Sequence, residues 1–92
     1  MRKVYLFVYS NDLGTREIVK NTVDSIESII LWRYDLPNSF YLVSTSSAIE
    51  LSEKIRMKLG DKRFIITEIS SNKQGWLPKK SWHLINHKKK MD

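Results

Sequence analysis

The sequence predicts a single α+β domain, and three observations lead to that prediction. Two runs alternate aromatic with aliphatic residues, Val4 to Tyr9 and Phe40 to Val43, as strands do when both faces touch something. Two other segments repeat apolar residues at helical spacing behind turn or capping residues. At 92 residues the chain is long enough for one modest core and too short for two. We therefore expect residues 1–92 to form one domain.

The first predicted unit is a strand, a helix and a second strand. The strand is Val4 to Tyr9, and the segment Asn11 to Thr15 then supplies turn and capping residues. A helix is predicted over roughly residues 15–28, followed by a second strand from Ile29 to Tyr34. The apolar residues at helical spacing are Ile18, Val19, Val23, Ile26 and Ile30.

The second unit repeats this order. Leu36 to Ser39 is predicted as a turn, because Pro and Asn favour turn geometry and Pro breaks strand pairing. Phe40 to Ser44 is the third strand. Ser47 with Glu50 matches a capping box for a second helix, which Gly60 ends. Ala48, Leu51, Ile55 and Leu59 line one face of that helix.

A fourth strand and a short helix complete the predicted chain. Arg63 to Ile69 is the strand, and Ser70 to Gly75 is a polar loop. Pro78 suits the first turn of a last helix, which carries Trp82 and Ile85 on one side. This order predicts a ferredoxin-like sandwich, in which a four-stranded antiparallel sheet has both long helices on one face.

The other face of such a sheet is open, and alternation suggests which residues line it. We expect Tyr5, Phe7, Tyr9 and Tyr41 there, with either Arg33 or the pair Trp32 and Tyr34 from the second strand. A second copy of the chain, nucleic-acid bases or the C-terminal segment can cover such a face. We favour burial in a homodimer over base stacking.

The charge of the chain favours an anionic partner. The net charge is +6, and the sequence pI is about 9.7. Solubility is the simpler explanation of such a charge, and residues 87–92 are typical of a frayed basic tail. If the partner is nucleic acid, the candidate phosphate contacts are Arg16, Lys20, Arg33, Lys54, Arg56, Lys58 and that tail.

Several classes of function have no support in the sequence. Cysteine is absent, which excludes disulfides, thiolate zinc sites and cysteine nucleophiles and fits a cytoplasmic protein. No stretch approaches the roughly 20 apolar residues of a membrane span. Neither a Gly-rich phosphate loop nor a nucleophile elbow is present. His83 and His87 have metal-sharing spacing, but solvated histidines are more typical of such a pair.

Four segments carry a resemblance to a known group of proteins. They are the strand end Tyr9-Ser10-Asn11-Asp12-Leu13, the segment Trp32-Arg33-Tyr34 before residues 39–43, the strand of residues 64–69, and Gly75-Trp76-Leu77-Pro78 with Trp82. The chain resembles small bacterial and phage proteins labelled SinR-family, which are similar in fold to the small CRISPR adaptation subunit and the VapD toxins. The resemblance implies a homodimer formed by sheet faces, often completed by C-terminal segments, and implies binding to DNA.

The resemblance also implies a nuclease as an alternative. Some relatives are assigned metal-dependent nuclease activity through an acidic residue at the end of the first strand, and the matching residue here is Asp12. Two Asp12 side chains across a dimer axis can share a magnesium ion. A lone Asp in a turn more often bonds its own backbone, and no second carboxylate lies nearby in the sequence.

The function predicted from the sequence is therefore phosphate-backbone binding to nucleic acid by a homodimer, without a cofactor. The first alternative is a magnesium-dependent endonuclease or endoribonuclease, or a VapD-like toxin, that uses Asp12. The second alternative is a protein-binding regulator, such as a phage-encoded inhibitor or a toxin–antitoxin component. No membrane partner is expected.

Overall fold

The computed structural model describes residues 1–91 and has the predicted α+β architecture. The sheet order is β2-β3-β1-β4, and every neighbouring pair is antiparallel, which confirms the ferredoxin-like sandwich. No helix within residues 1–91 is long and apolar enough to cross a membrane. The strands are β1 (Lys3–Tyr9), β2 (Ile29–Arg33), β3 (Ser39–Ser44) and β4 (Phe64–Glu68), and the helices are α1 (Arg16–Ser25), α2 (Ala48–Leu59) and α3 (Lys79–His87).

Local signals in the sequence fix the helix ends. Ser47 and Glu50 form the reciprocal capping box at the start of α2, and Gly60 ends the helix with φ 90°. The predicted end of α1 at Ser28 is wrong, since the helix ends at Ser25. The Ser25 hydroxyl donates to the carbonyl of Thr22 at 2.7 Å, a local bond that competes with helical backbone pairing.

The main core lies between the sheet and the helices α1 and α2, and its aromatic residues correct one prediction. Tyr5, Phe7 and Tyr9 point toward these helices, so their predicted place on the open face is wrong. Phe7 is fully buried and packs against Phe40 and Phe64. Alternation along a strand separates two sets of side chains but does not say which set faces the helices. The bulkier set fills the space that two helices enclose, where it buries the most apolar area.

The second face of the sheet is partly covered by α3. Val4, Tyr41 and Val43 form a smaller core with Leu84 and Ile85 of this helix. Tyr41 therefore lies on the predicted face, but it is buried under the chain's own C-terminal helix. Part of the face remains open, and Val8 and Ile65 are exposed apolar residues there.

A bulge in the edge strand β2 decides which of its side chains face α3. The pairing with β3 shifts between Ile29 and Leu31, which leaves Ile30 without a cross-strand partner. Leu31 consequently packs with the second-face cluster, and Arg33 points toward α3. Trp32 packs with the helix-covered core instead.

Candidate functional site

A groove runs along the sheet edge between β2 and α3, and we call it the edge groove. Its volume is about 350 Å³. β2 is the outermost strand, so the described part of the chain provides no strand to cover it. The groove combines cationic and apolar side chains, among them Ile30, Arg33, Lys80, Leu84, Lys90 and Met91.

A partly buried polar cluster holds α3 in place beside the edge groove. The Nε of Arg33 donates to the Oγ of Ser81 at 2.5 Å, and this hydroxyl in turn donates to the carboxylate of Asp35. A nitrogen of Arg33 also lies 3.7 Å from an Asp35 carboxylate oxygen. Ser81 is fully buried, so the cluster forms part of the contact between α3 and the sheet. Asp35 offsets much of the charge that Arg33 brings to the groove.

The chain turns back after α3 and brings part of the basic tail to the edge groove. Lys88 adopts the left-handed conformation, with φ 56°, and its N–H donates to the carbonyl of Leu84 at 2.8 Å. Arg2 donates to the carbonyl of Lys88 at 3.0 Å. Lys90 lines the groove, whereas Asp92 of the predicted frayed tail lies outside the described residues. Cations at this end also suit the negative end of the helix dipole.

A stack of one guanidinium and two aromatic rings adjoins the edge groove, and we call Arg16, Tyr34 and Trp32 the aromatic ladder. The Trp32 and Tyr34 rings are nearly parallel, at 5°, with centroids 6.0 Å apart. The Arg16 guanidinium carbon lies 3.9 Å from the Tyr34 ring centroid. Trp32 is among the residues that border the edge groove, but its ring packs on the α1 and α2 side of β2, on the opposite face of the sheet from α3.

Two polar contacts hold the ends of the aromatic ladder. The Nε1 of Trp32 donates to the carboxylate of Asp24 at 2.6 Å, and a nitrogen of Arg16 donates to the carbonyl of Leu36 at 3.1 Å. The Nη1 of Arg16 is buried and has no hydrogen-bond partner within residues 1–91. The positions of the two rings are therefore set by the fold.

The six residues predicted as phosphate contacts divide between the two faces of the sheet, since Arg33 points toward α3 whereas the other five lie on α1 and α2. Arg16 lies in the aromatic ladder, and Arg33 is bound to Ser81 and Asp35. Arg56 pairs with Asp61 at 2.8 Å on α2. Within residues 1–91, the side chains of the three predicted lysines make no hydrogen bond or ion pair; Lys20 lies on α1, and Lys54 and Lys58 lie on α2.

Lys80 lines the edge groove but was not among the predicted phosphate contacts. Lys90 belongs to the basic tail, which was predicted as a whole. Lys79 and Lys80 follow Pro78 directly, at the start of the predicted amphipathic helix. That position was the available signal, because cations in the first turn are unfavourable for the helix dipole and therefore call for another explanation. Their convergence with residues of β2 depends on long-range packing that local patterns do not encode.

Asp12 lies on an exposed 3₁₀ turn, Asn11–Leu13, which follows β1. A hydrogen bond from the Ser10 hydroxyl lowers the pKa of the Asp12 carboxyl, and the charges of Arg63 and Lys62 lower it further. Nearby cations oppose the binding of a metal ion. Within residues 1–91, no three His, Cys, Asp or Glu side chains come close enough together to hold one. In a single chain, Asp12 therefore fits a turn residue better than a magnesium ligand.

A second, more apolar groove lies on the second face of the sheet, and we call it the face groove. Its volume is about 310 Å³, and Trp76, which is 88% exposed, forms part of its wall. Tyr41 contributes a buried hydroxyl that makes no hydrogen bond of normal geometry within residues 1–91. Burial raises the pKa of Tyr41 to about 12, and the adjacent Asp35 carboxylate contributes to that rise. The other residues of this groove include Leu6, Ile69, Leu77, Trp82 and Ile85.

Comparison with known proteins identifies no relative of this chain. No protein-family model matches the chain, and searches of curated proteins and of solved structures find no significant match. The resemblance drawn from the sequence therefore stays a prediction.

Proposed function

We propose that the protein binds the phosphate backbone of nucleic acid at the edge groove. The observation that supports this best is the convergence of Lys80 and Lys90 on one concave surface from the two ends of α3. Lys80 lies in the first turn of α3 and Lys90 follows the last residue of that helix, His87, so the two lysines approach the groove from opposite ends of α3. Neither side chain makes a hydrogen bond or ion pair within residues 1–91, so both remain available to a ligand.

The charge of the whole chain supports the same proposal. A net charge of +6 attracts a polyanion from a distance, and the basic residues around Lys88 extend the attraction beyond the groove. Lysines contact phosphates as point charges and release condensed counterions from the nucleic acid. Binding of this kind carries little base information, so we expect weak discrimination between sequences.

We also propose that the protein acts as a homodimer, with the open part of the second face as the interface. The earlier candidates Tyr5, Phe7 and Tyr9 are buried under helices and unavailable to a partner. Val8 and Ile65 are paired across β1 and β4 and are 38% and 61% exposed. Exposed apolar patches of this kind commonly mark protein interfaces.

The test of nucleic-acid binding is the mobility of labelled duplex DNA, single-stranded DNA and RNA with the purified protein. A series of salt concentrations, with and without magnesium, separates the alternatives. Salt-sensitive retardation without cleavage supports the proposal. Magnesium-dependent degradation of the probe that is abolished by Asp12→Ala would instead establish the nuclease. Within residues 1–91, no cluster of potential metal ligands supports that alternative. No retardation of any probe at low salt would exclude nucleic-acid binding.

A protein-binding role is the second candidate, and the face groove favours it. Trp76 stands almost fully exposed beside apolar walls, as aromatic anchors of protein interfaces do. In this alternative the basic surface serves solubility or attracts an acidic partner. The mobility experiment distinguishes the two roles, because this alternative predicts no retardation of nucleic acid.

A further inference from the structure

We propose that the face groove binds a small planar aromatic molecule that carries an anionic group. The inference is independent of the proposed nucleic-acid binding, because the face groove and the edge groove share no lining residue within residues 1–91. It also leaves the proposed dimer interface free, since Val8 and Ile65 do not line the face groove.

The first support is the size and construction of the face groove. Leu6 and Tyr41, a cross-strand pair of the two central strands, line it from the sheet, and Trp82 and Ile85 line it from α3. The irregular segment of residues 73–77, between β4 and α3, adds further lining residues. The volume of about 310 Å³ lies at the lower end of the range of small-molecule pockets, about 300–1,000 Å³. A ligand with few rings therefore fits the groove.

The second support is the aromatic lining of the groove. Tyr41 is buried and Trp82 is half-buried, but Trp76 is 88% exposed although it lines the same groove. Most of the Trp76 surface is therefore left for a ligand to cover, and the removal of this apolar surface from water favours binding. Aromatic rings also attract one another beyond the effect of the area that they bury, which favours a flat aromatic ligand over an aliphatic one.

The third support is the charge of the lining. Lys73 is the one charged residue that lines the face groove among residues 1–91, so charge complementarity favours an anionic ligand over a cationic one. The Nζ of Lys73 donates to the carbonyl of Ser70 at 3.0 Å, which holds the ammonium group in place and leaves its other N–H donors for a ligand. A single lysine suits one anionic group, whereas a nucleic-acid backbone gains from several cations along its length.

The experiment titrates the full chain with two fluorescent probes that share one ring system. Anilinonaphthalene sulfonate carries an anionic sulfonate, and phenylnaphthylamine is the corresponding neutral molecule without that group. The fluorescence of both probes rises in an apolar site, so its increase measures the affinity of each. Variants are compared with the wild type separately for each probe, because the two probes differ in hydration.

Substitutions test the role of each lining group. Lys73→Met removes the charge and keeps an unbranched side chain, so the affinity for the anionic probe should fall about threefold or more while that for the neutral probe stays unchanged. Lys58→Met is the matched control, because it removes an exposed lysine of α2 outside the groove and should change neither affinity. Trp76→Ala should weaken both probes about fivefold or more. This exposed residue contributes little to the core, so the variant should fold.

Two-dimensional NMR of the tryptophan indole N–H groups locates the bound probe. The signals of Trp76 and Trp82 should move when the anionic probe is added, because both residues line the face groove. The signal of Trp32 should stay in place, because its Nε1 is bonded to Asp24 on the opposite face of the sheet from α3.

The outcomes separate the proposed ligand from other occupants of the groove. An equal loss of anionic-probe affinity in Lys73→Met and Lys58→Met, or binding that leaves the Trp76 and Trp82 signals in place, would overturn the proposal. Movement of those signals with protein concentration alone, with no response to either probe, would assign the groove to a second copy of the chain and would also overturn it. None of these results bears on nucleic-acid binding at the edge groove, which has other lining residues.

Discussion

The Nε of Arg33 on the edge strand donates to the Oγ of Ser81 in the last helix, at 2.5 Å. This bond joins residues that are 48 positions apart in the chain. Together with the apolar contacts of Leu84 and Ile85, it sets α3 against the sheet. The edge groove lies between β2 and α3, so its shape depends on how firmly α3 is held against the sheet.

Replacement of Ser81 should therefore weaken the fold. Ser81→Ala removes both hydrogen bonds of a fully buried hydroxyl and leaves Arg33 and Asp35 without this partner. The free energy of unfolding should fall by about 1–3 kcal/mol. Urea denaturation followed by circular dichroism measures the change in the free energy of unfolding. Ser71→Ala, in an exposed loop, is the control and should be close to neutral. Equal unfolding midpoints for the two variants would show that the cluster does not hold α3.

Two buried tyrosines should respond differently to the loss of their hydroxyls. The Tyr5 hydroxyl donates to the carbonyl of Ser46 at 2.7 Å, so Tyr5→Phe should cost about 1–2 kcal/mol. The Tyr41 hydroxyl is buried beside the Asp35 carboxylate and makes no hydrogen bond of normal geometry within residues 1–91, so Tyr41→Phe should cost less than Tyr5→Phe. Urea denaturation at neutral pH compares the two variants. A larger loss in Tyr41→Phe than in Tyr5→Phe would contradict these hydrogen-bond assignments.

The raised pKa of Tyr41 predicts that the folded protein loses stability at alkaline pH. Burial, aided by the Asp35 carboxylate, raises the pKa of Tyr41 in the folded chain to about 12. An unfolded tyrosine has a pKa of about 10, so the folded state keeps the proton more tightly. The stability linked to this proton is complete below about pH 10 and is lost as the pH rises toward 12.

Urea midpoints at about pH 8 and about pH 11 measure this effect in the wild type and in Tyr41→Phe. The variant should lose less stability over that interval, because it no longer has the Tyr41 proton to lose. Burial also raises the pKa of Tyr5 and Tyr9, so a smaller fall remains expected in the variant. An equal fall in both proteins would contradict the placement of Tyr41.

Substitutions at two neighbouring residues of β1, Phe7 and Val8, should affect folding and self-association separately. Phe7 is fully buried under the helices, so Phe7→Ala should cost about 3–5 kcal/mol. Val8 points to the open part of the second face, so Val8→Glu should change stability little but place a charge in each copy of a dimer contact. Light scattering after size-exclusion chromatography measures the mass. A Val8→Glu protein that stays dimeric would place the interface elsewhere.

Local signals in the sequence predicted the order of the elements well. The capping box of Ser47 and Glu50, the helix stop at Gly60 and the alternation in β1 each act within a few residues, where backbone and capping rules apply directly. The apolar spacing of the sequence allowed α1 to continue to Ser28. The helix ends at Ser25, whose hydroxyl bonds to the Thr22 carbonyl and competes with the helical backbone hydrogen bond to that carbonyl.

The candidate site was harder to predict because it is made by distant contacts. Alternation could not tell which face of β1 the helices cover, so Phe7 was assigned to the wrong side. The resemblance implied a role for the C-terminal segment but not its position over Tyr41. The stack of Arg16 on Tyr34 and the approach of Lys80 to β2 each join separate elements, and neither follows from spacing along the chain.

The most direct test of the central claim is the salt dependence of nucleic-acid binding by the wild type and by the double variant Lys80→Ala/Lys90→Ala. Each lost phosphate contact reduces the slope of log affinity against log salt by about 0.7 on a single strand, so the double variant should bind more weakly with a slope shallower by about 1.4. The control Lys54→Ala/Lys58→Ala removes the same charge from α2, a helix on the opposite face of the sheet from α3. It should keep nearly the wild-type slope. An unchanged slope in the Lys80/Lys90 variant, or an equal loss in both, would contradict the edge groove as the binding site.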